Sequence, residues 1–146
     1  MKGMTLIVKT VTRLVAGFIV IFGINIVIYG HITPGGGFAG GVILAGAFIL
    51  VLLAFGKDYV FRLMSDRAAS VLESVGALAF LALALIGYLR GDFFLNILAK
   101  GDPFRLFSAG IIPLCNVSIG IKVGAALFAV VAGLSVFRAR GEVAKK

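Results

Sequence analysis

The sequence has no glutamine, one cysteine, one histidine and only six acidic residues in 146. Each shortage excludes something. A lone thiol, Cys115, forms no disulfide within the chain and says nothing about redox compartment. One histidine and one cysteine without clustered ligands argue against a zinc or haem site, so no metal and no cofactor is expected. No nucleophile–base pair is visible either, so no catalytic residue is assigned and the chain is not expected to be an enzyme by itself. No low-complexity tract or long linker divides the sequence, which predicts one domain over residues 1–146.

Charge is scarce as well, at 14% of residues, against about a quarter in ordinary soluble domains. What replaces it is apolar: 61% of residues are hydrophobic and the mean hydropathy is +1.15. A soluble protein of this size has too little interior to hide so many aliphatic side chains, so they must face lipid. Residues 14–30 and 32–56 carry no charge, 68–89 carry only Glu73, and 106–137 only Lys122. A membrane-crossing helix needs roughly 20 mainly apolar residues. The pattern therefore predicts an all-α integral membrane protein with four transmembrane helices, at about 8–29, 37–56, 69–89 and 112–137. Barrel strands would instead alternate apolar and polar residues over about ten positions. The first run is too long for a signal-peptide core, and Tyr29-Gly30-His31 is a poor cleavage site, so it is read as a retained helix.

The net charge of +8 suggests nucleic acid until its distribution is considered. Four crossings put the N-terminus, the 57–67 loop and the C-terminal tail on one side. That side holds Lys2, Lys9, Arg13, Lys57, Arg62, Arg67, Arg138, Arg140, Lys145 and Lys146. The other side holds only Arg90, Lys100 and Arg105. The positive-inside rule then predicts that both termini are cytoplasmic. The basicity is a topology signal, and no nucleic-acid partner is expected.

Two features exceed what a plain membrane span requires. The first is the turn Gly30-His31-Ile32-Thr33-Pro34-Gly35-Gly36-Gly37-Phe38-Ala39-Gly40-Gly41. Pro34 suits a helix start, and the glycine triplet permits positive φ and close backbone approach. Gly36 with Gly40, and Gly37 with Gly41, give the second helix a small-residue packing face. A phosphate-binding loop is excluded, since no strand precedes it and no Gly-Lys-Ser/Thr follows. His31 could titrate near physiological pH, although a structural hydrogen bond is the plainer role.

The second feature is Lys122, about 15 Å from the outer boundary of its helix. A lysine there costs several kcal/mol unless paired or hydrated. Cys115, Ser118, Ala125, Ala126, Ala129 and Gly133 share its helical face, which is small and slightly polar. Gly120 and Gly124 form a GxxxG pair nearly opposite it. Glu73 is the obvious partner, but residue counting places it well below Lys122. The expectation is therefore a partner on another subunit, or a water-filled cavity. Asn25 and Asn116 have similar estimated depths and are expected to be able to hydrogen-bond across helices.

These blocks resemble a known family. Gly30-His31, Pro34-Gly35-Gly36-Gly37-Phe38 and Gly40-Gly41 look like the signature turn of the B subunit of Mrp-type (Mnh-type) multisubunit Na+/H+ antiporters. The stretch from Ile112 to Phe128 resembles that family's final helix, and the likeness runs in order along essentially the whole chain. The resemblance implies a small accessory subunit in the plasma membrane of a prokaryote. Its partners would be the other subunits of an antiporter, or of the Mrp-like module of a membrane-bound hydrogenase or sulfane-sulfur reductase. The absence of glutamine, a thermophile trait, leans towards the hydrogenase-like assemblies. On this reading Lys122, Glu73, His31, Asn25 and Asn116 are the candidate ion-path or intramembrane polar residues. Two rivals stand beside it: a stand-alone homo-oligomeric channel or exporter, and a purely structural scaffold subunit.

Overall fold

In lipid every backbone N–H and C=O must find a partner within the protein, so long apolar runs fold as helices. The computed structural model describes residues 4–98, 100–102, 104–106 and 108–143. Its elements are α1 (Leu6–Ile28), α2 (Gly36–Phe55), α3 (Lys57–Leu63), α4 (Asp66–Ile86) and α5 (Ile112–Val143). A 3-10 turn, Gly87–Arg90, extends α4. Four of these helices are long and apolar enough to cross a membrane, and no strand occurs among the described residues.

Helix boundaries follow local chemistry. Ser65 caps α4 by accepting a hydrogen bond from the Ala68 N–H at 3.2 Å, and Asp66 in the first turn complements the helix dipole. Gly56, at φ 86°, ends α2 by donating its N–H to the Leu52 carbonyl. That left-handed residue reverses the chain so tightly that α3 starts at once.

The sequence pattern placed a loop at 57–67, and α3 is a correction to it. Its seven residues carry Asp58 in the first turn and Arg62 in the last, and they bury Val60 completely. Seven residues between charges are too few to show a helical period, although Val60 and Phe61 both pack on the core. The last helix also continues past the expected end at 137, to Val143. The charges of Arg138 and Arg140 limit how far lipid extends, and they do not limit the helix.

In space the four long helices follow the order α1, α2, α5, α4. α1 packs mainly on α2, α2 on α5, and α5 on α4. α5 thus stands between α2, to which it runs parallel, and α4, to which it runs antiparallel. A core of Leu52, Val60, Ala69, Phe128 and Ala132 gathers at the α3 end, where the rings of Phe48 and Phe128 meet edge-on at 5.8 Å. Elsewhere the buried residues are mostly alanine and glycine. Large side chains point outwards instead, as at Leu6, Phe18 and Leu78. That inversion of a soluble core suits a protein whose solvent is acyl chains.

Candidate functional site

The glycine turn and the intramembrane lysine both meet α5, on opposite sides of it. On the α2 side, Gly35 and Gly36 take φ of 148° and 87°, conformations that L side chains rarely adopt. They swing the chain into α2 so that Gly37 lies against α5. A Cβ at Gly37 would fall on the backbone of Asn116, and one at Gly41 would meet the Gly120 carbonyl. Gly40 faces the other way, against Val27 and the Gly23 carbonyl of α1. Gly124 closes the same α2–α5 seam, with the Gly41 carbonyl 3.4 Å from where its Cβ would stand. Pro34 and Phe38 are exposed on the turn.

The first N–H groups of a helix have no intrahelical partner. No side chain of the turn caps α2. Instead the Gly37 N–H donates to Oδ1 of Asn116 at 3.3 Å, so a residue of α5 caps α2 from across the seam. Asn116 therefore serves the turn and does not pair with Asn25, which lies exposed on α1. Cross-helix hydrogen bonding is thus found for Asn116, on the α2 backbone, while Asn25 makes no such side-chain bond among the described residues. His31 lies nearby in sequence, and its Nε2 is 3.3 Å from the Arg105 carbonyl, which ties the α1–α2 turn to the 91–111 segment. With Nε2–H donating there, Nδ1 is the acceptor nitrogen. It is buried without a hydrogen-bond partner among the described residues, as is Nδ2 of Asn116.

On the α4 side, Gly76 brings the two backbones together. A Cβ there would stand 2.8 Å from the Lys122 nitrogen and 2.9 Å from the Ser118 carbonyl. Lys122 is thus level with Gly76, three residues from Glu73. That offset is only about 4.5 Å along the axis, within reach of a lysine stem. Nζ of Lys122 lies 3.7 Å from Oε1 of Glu73. The expectation that Lys122 would turn to another subunit before Glu73 is therefore corrected. Depth counted in residues treats side chains as points, and a four-carbon stem spans the difference. The pair is not sealed: the Lys122 side chain is 47% exposed and that of Glu73 40%. Above it Ser118 is buried, its hydroxyl donating to the Leu114 carbonyl at 3.0 Å. Cys115, a turn higher on α5, is a free thiol.

Residues 7–129 match the family model described as a domain related to the MnhB subunit of the Na+/H+ antiporter. An uncharacterised protein of Methanocaldococcus jannaschii, MJ1307, is 38% identical over 130 residues; the match covers 84% of this chain and 49% of that protein. A Staphylococcus aureus (strain Newman) protein bearing the name antiporter subunit mnhB2 is 38% identical over 96 residues, covering 66% of this chain and 67% of that one. Among solved structures, a chain of the membrane-bound sulfane sulfur reductase, an archaeal respiratory membrane complex, superposes with a TM-score of 0.78 at 34% identity. That superposition covers 91% of this chain and 61% of the other. The chain thus spans about half the length of the archaeal relative and about two thirds of the staphylococcal one.

Proposed function

This multi-pass membrane chain belongs to the family of domains related to the MnhB subunit of Na+/H+ antiporters, and on that footing we propose that it is an accessory subunit of an Mrp-type cation/proton antiporter module. It carries no chemistry of its own and works within a multisubunit assembly. That assembly is either a free antiporter or the Mrp-like module of a redox-driven respiratory complex in a prokaryotic plasma membrane. The single observation that carries this reading is the family match across residues 7–129, supported by the likeness to a chain of a respiratory membrane complex.

The whole of 1–146 acts as one membrane domain in this proposal. Both termini and α3 lie on the cytoplasmic side, where the basic residues concentrate, and the α1–α2 turn and the 91–111 segment lie outside. Impermeant thiol labelling at a cysteine placed at residue 97, but not at the exposed position 58, in intact cells is the expected result for that orientation. The α2–α5 glycine seam serves assembly. The Lys122–Glu73 pair, half open at the depth of the spans, serves the ion path, because a charge pair left facing acyl chains would be costly.

Deleting the gene and measuring Na+-dependent proton movement in everted vesicles tests the function. Loss of antiport that returns with the wild-type gene supports the proposal. A stable homo-oligomer that transports ions without any other chain in mild detergent would replace it with a stand-alone channel.

A further inference from the structure

Two grooves lie end to end along the α4–α5 seam. The upper one, about 480 Å³, sits beneath the 91–111 segment and is lined in part by Asn96, Lys100, Ser108 and Cys115. The lower one, about 200 Å³, is lined by Gly76, Ala77, Phe80, Ser118, Ile119 and Lys122. Phe80 is the residue common to both linings. A buried water needs only roughly 10–15 Å³ of such space and two to four polar neighbours, so both grooves have room for several. The polar neighbours are spaced along the route. Cys115, Ser118 and Lys122 recur at three- and four-residue intervals and therefore descend one face of α5. Asn96, Lys100 and Ser108 stand at the top, and the Lys122–Glu73 pair lies at the bottom. Between the halves, the Phe80 ring is braced by Phe94 at 5.3 Å between centroids. An aromatic ring where two grooves meet has the form of a hydrophobic constriction, which gates by excluding water.

We propose that the α4–α5 seam is a water-filled proton access route from the 91–111 end to Lys122, with Phe80 as its constriction. The charges choose the ion. Lys122 at the end of the route can take up and release a proton, whereas its ammonium has only donors and offers no oxygen ligand to a sodium ion. At the end, the Lys122 ammonium gives one proton to a groove water, leaving the neutral amine and a hydronium ion. The reverse step restores the ammonium, which Glu73 stabilises at 3.7 Å. The inference rests on the reading of the pair as part of an ion path, and it adds the direction of access, the ion and the constriction.

Thiol accessibility in the assembled complex tests it, with a membrane-impermeant anionic methanethiosulfonate added on the 91–111 side. In a Cys115→Ser background, Ala77→Cys probes the lower groove. Leu78→Cys, its exposed apolar neighbour, is the control. The expected result is labelling at 77 on the order of tenfold faster than at 78, since a charged reagent does not enter acyl chains. Adding Phe80→Ala speeds labelling at 77, and Phe80→Trp slows it. Equal rates at 77 and 78 overturn the route, because lipid then fills the seam. If the substituted complexes fail to assemble, the unsubstituted complex still decides the upper half: native Cys115 must react from the 91–111 side, and its failure to react refutes the route. Ion transport measured in Lys122→Met separates the two readings. Labelling at 77 with transport intact leaves a wet seam that the ion path does not use. Transport lost with 77 unlabelled keeps the pair functional and ends the access route.

Discussion

The two sides of α5 solve different problems with the same device. On each side a glycine admits a neighbouring backbone: Gly37 and Gly41 of α2 on one, Gly76 of α4 on the other. On the α2 side several glycines recur, and the one polar contact, Asn116 to Gly37, is a backbone cap. On the α4 side a single glycine stands beside charges, a serine and two grooves. The difference teaches that close approach alone does not set a seam's character. Beside the repeated small residues a groove of about 190 Å³ is lined by apolar side chains and glycines, whereas the grooves beside the single close point at Gly76 are lined in part by long polar side chains.

The comparison breaks most visibly at Gly37. In Gly37→Val the added atoms meet the Asn116 backbone, which has no rotamer to yield, so the cost should reach or exceed the roughly 3 kcal/mol at the top of the overpacking range. The complex should fail to assemble on native gels while the chain still inserts in the membrane. Gly36→Val differs in kind, since its Cβ has space and only the positive φ is strained. It should impair assembly less than Gly37→Val does, and equal assembly of both with wild type would sink the packing argument.

On the other side, Lys122→Met leaves Glu73 without its counter-ion. Because the pair is half exposed, the cost should stay below the roughly 3–5 kcal/mol of a fully buried broken pair. Proton coupling in vesicles should fall sharply while assembled complex is still recovered. The double variant Lys122→Met/Glu73→Gln should restore thermal stability in detergent without restoring coupling. Recovery of coupling by the double variant would make the pair structural.

Asn116→Ala removes the cap on α2 and leaves the Gly37 N–H unpartnered, at a cost of about 1–3 kcal/mol. It should lower the detergent melting temperature with coupling retained by the folded fraction. The smallest effect is expected from His31→Ala, which deletes one hydrogen bond worth roughly 0.5–1.5 kcal/mol. Hydrogen exchange should quicken around the 91–111 segment and leave the helices unchanged.

The four long helices were legible because lipid imposes one rule on all of them, and charge-free runs report it directly. α3 was not, since its stability comes from Val60 entering a core that only the folded chain assembles. The glycine turn stood out by composition, yet its partner on α5 did not. Asn116 could have been suspected from a helix start whose N-cap is glycine, with an asparagine at matching depth on another helix. The pairing of Lys122 with Glu73 was argued against on depth. Gly76, one turn from Glu73, was the overlooked signal that α4 and α5 touch at that level.

The cap on α2 also sets a schedule. Its donor and acceptor are 79 residues apart in the chain. At 5–20 residues per second, the ribosome delivers Asn116 roughly 4–16 s after Gly37. During that interval the start of α2 holds an unanswered N–H at the membrane's edge, where water or an insertion factor must answer it. The first hairpin is therefore provisional at birth, and its final fit is made by the last helix to arrive.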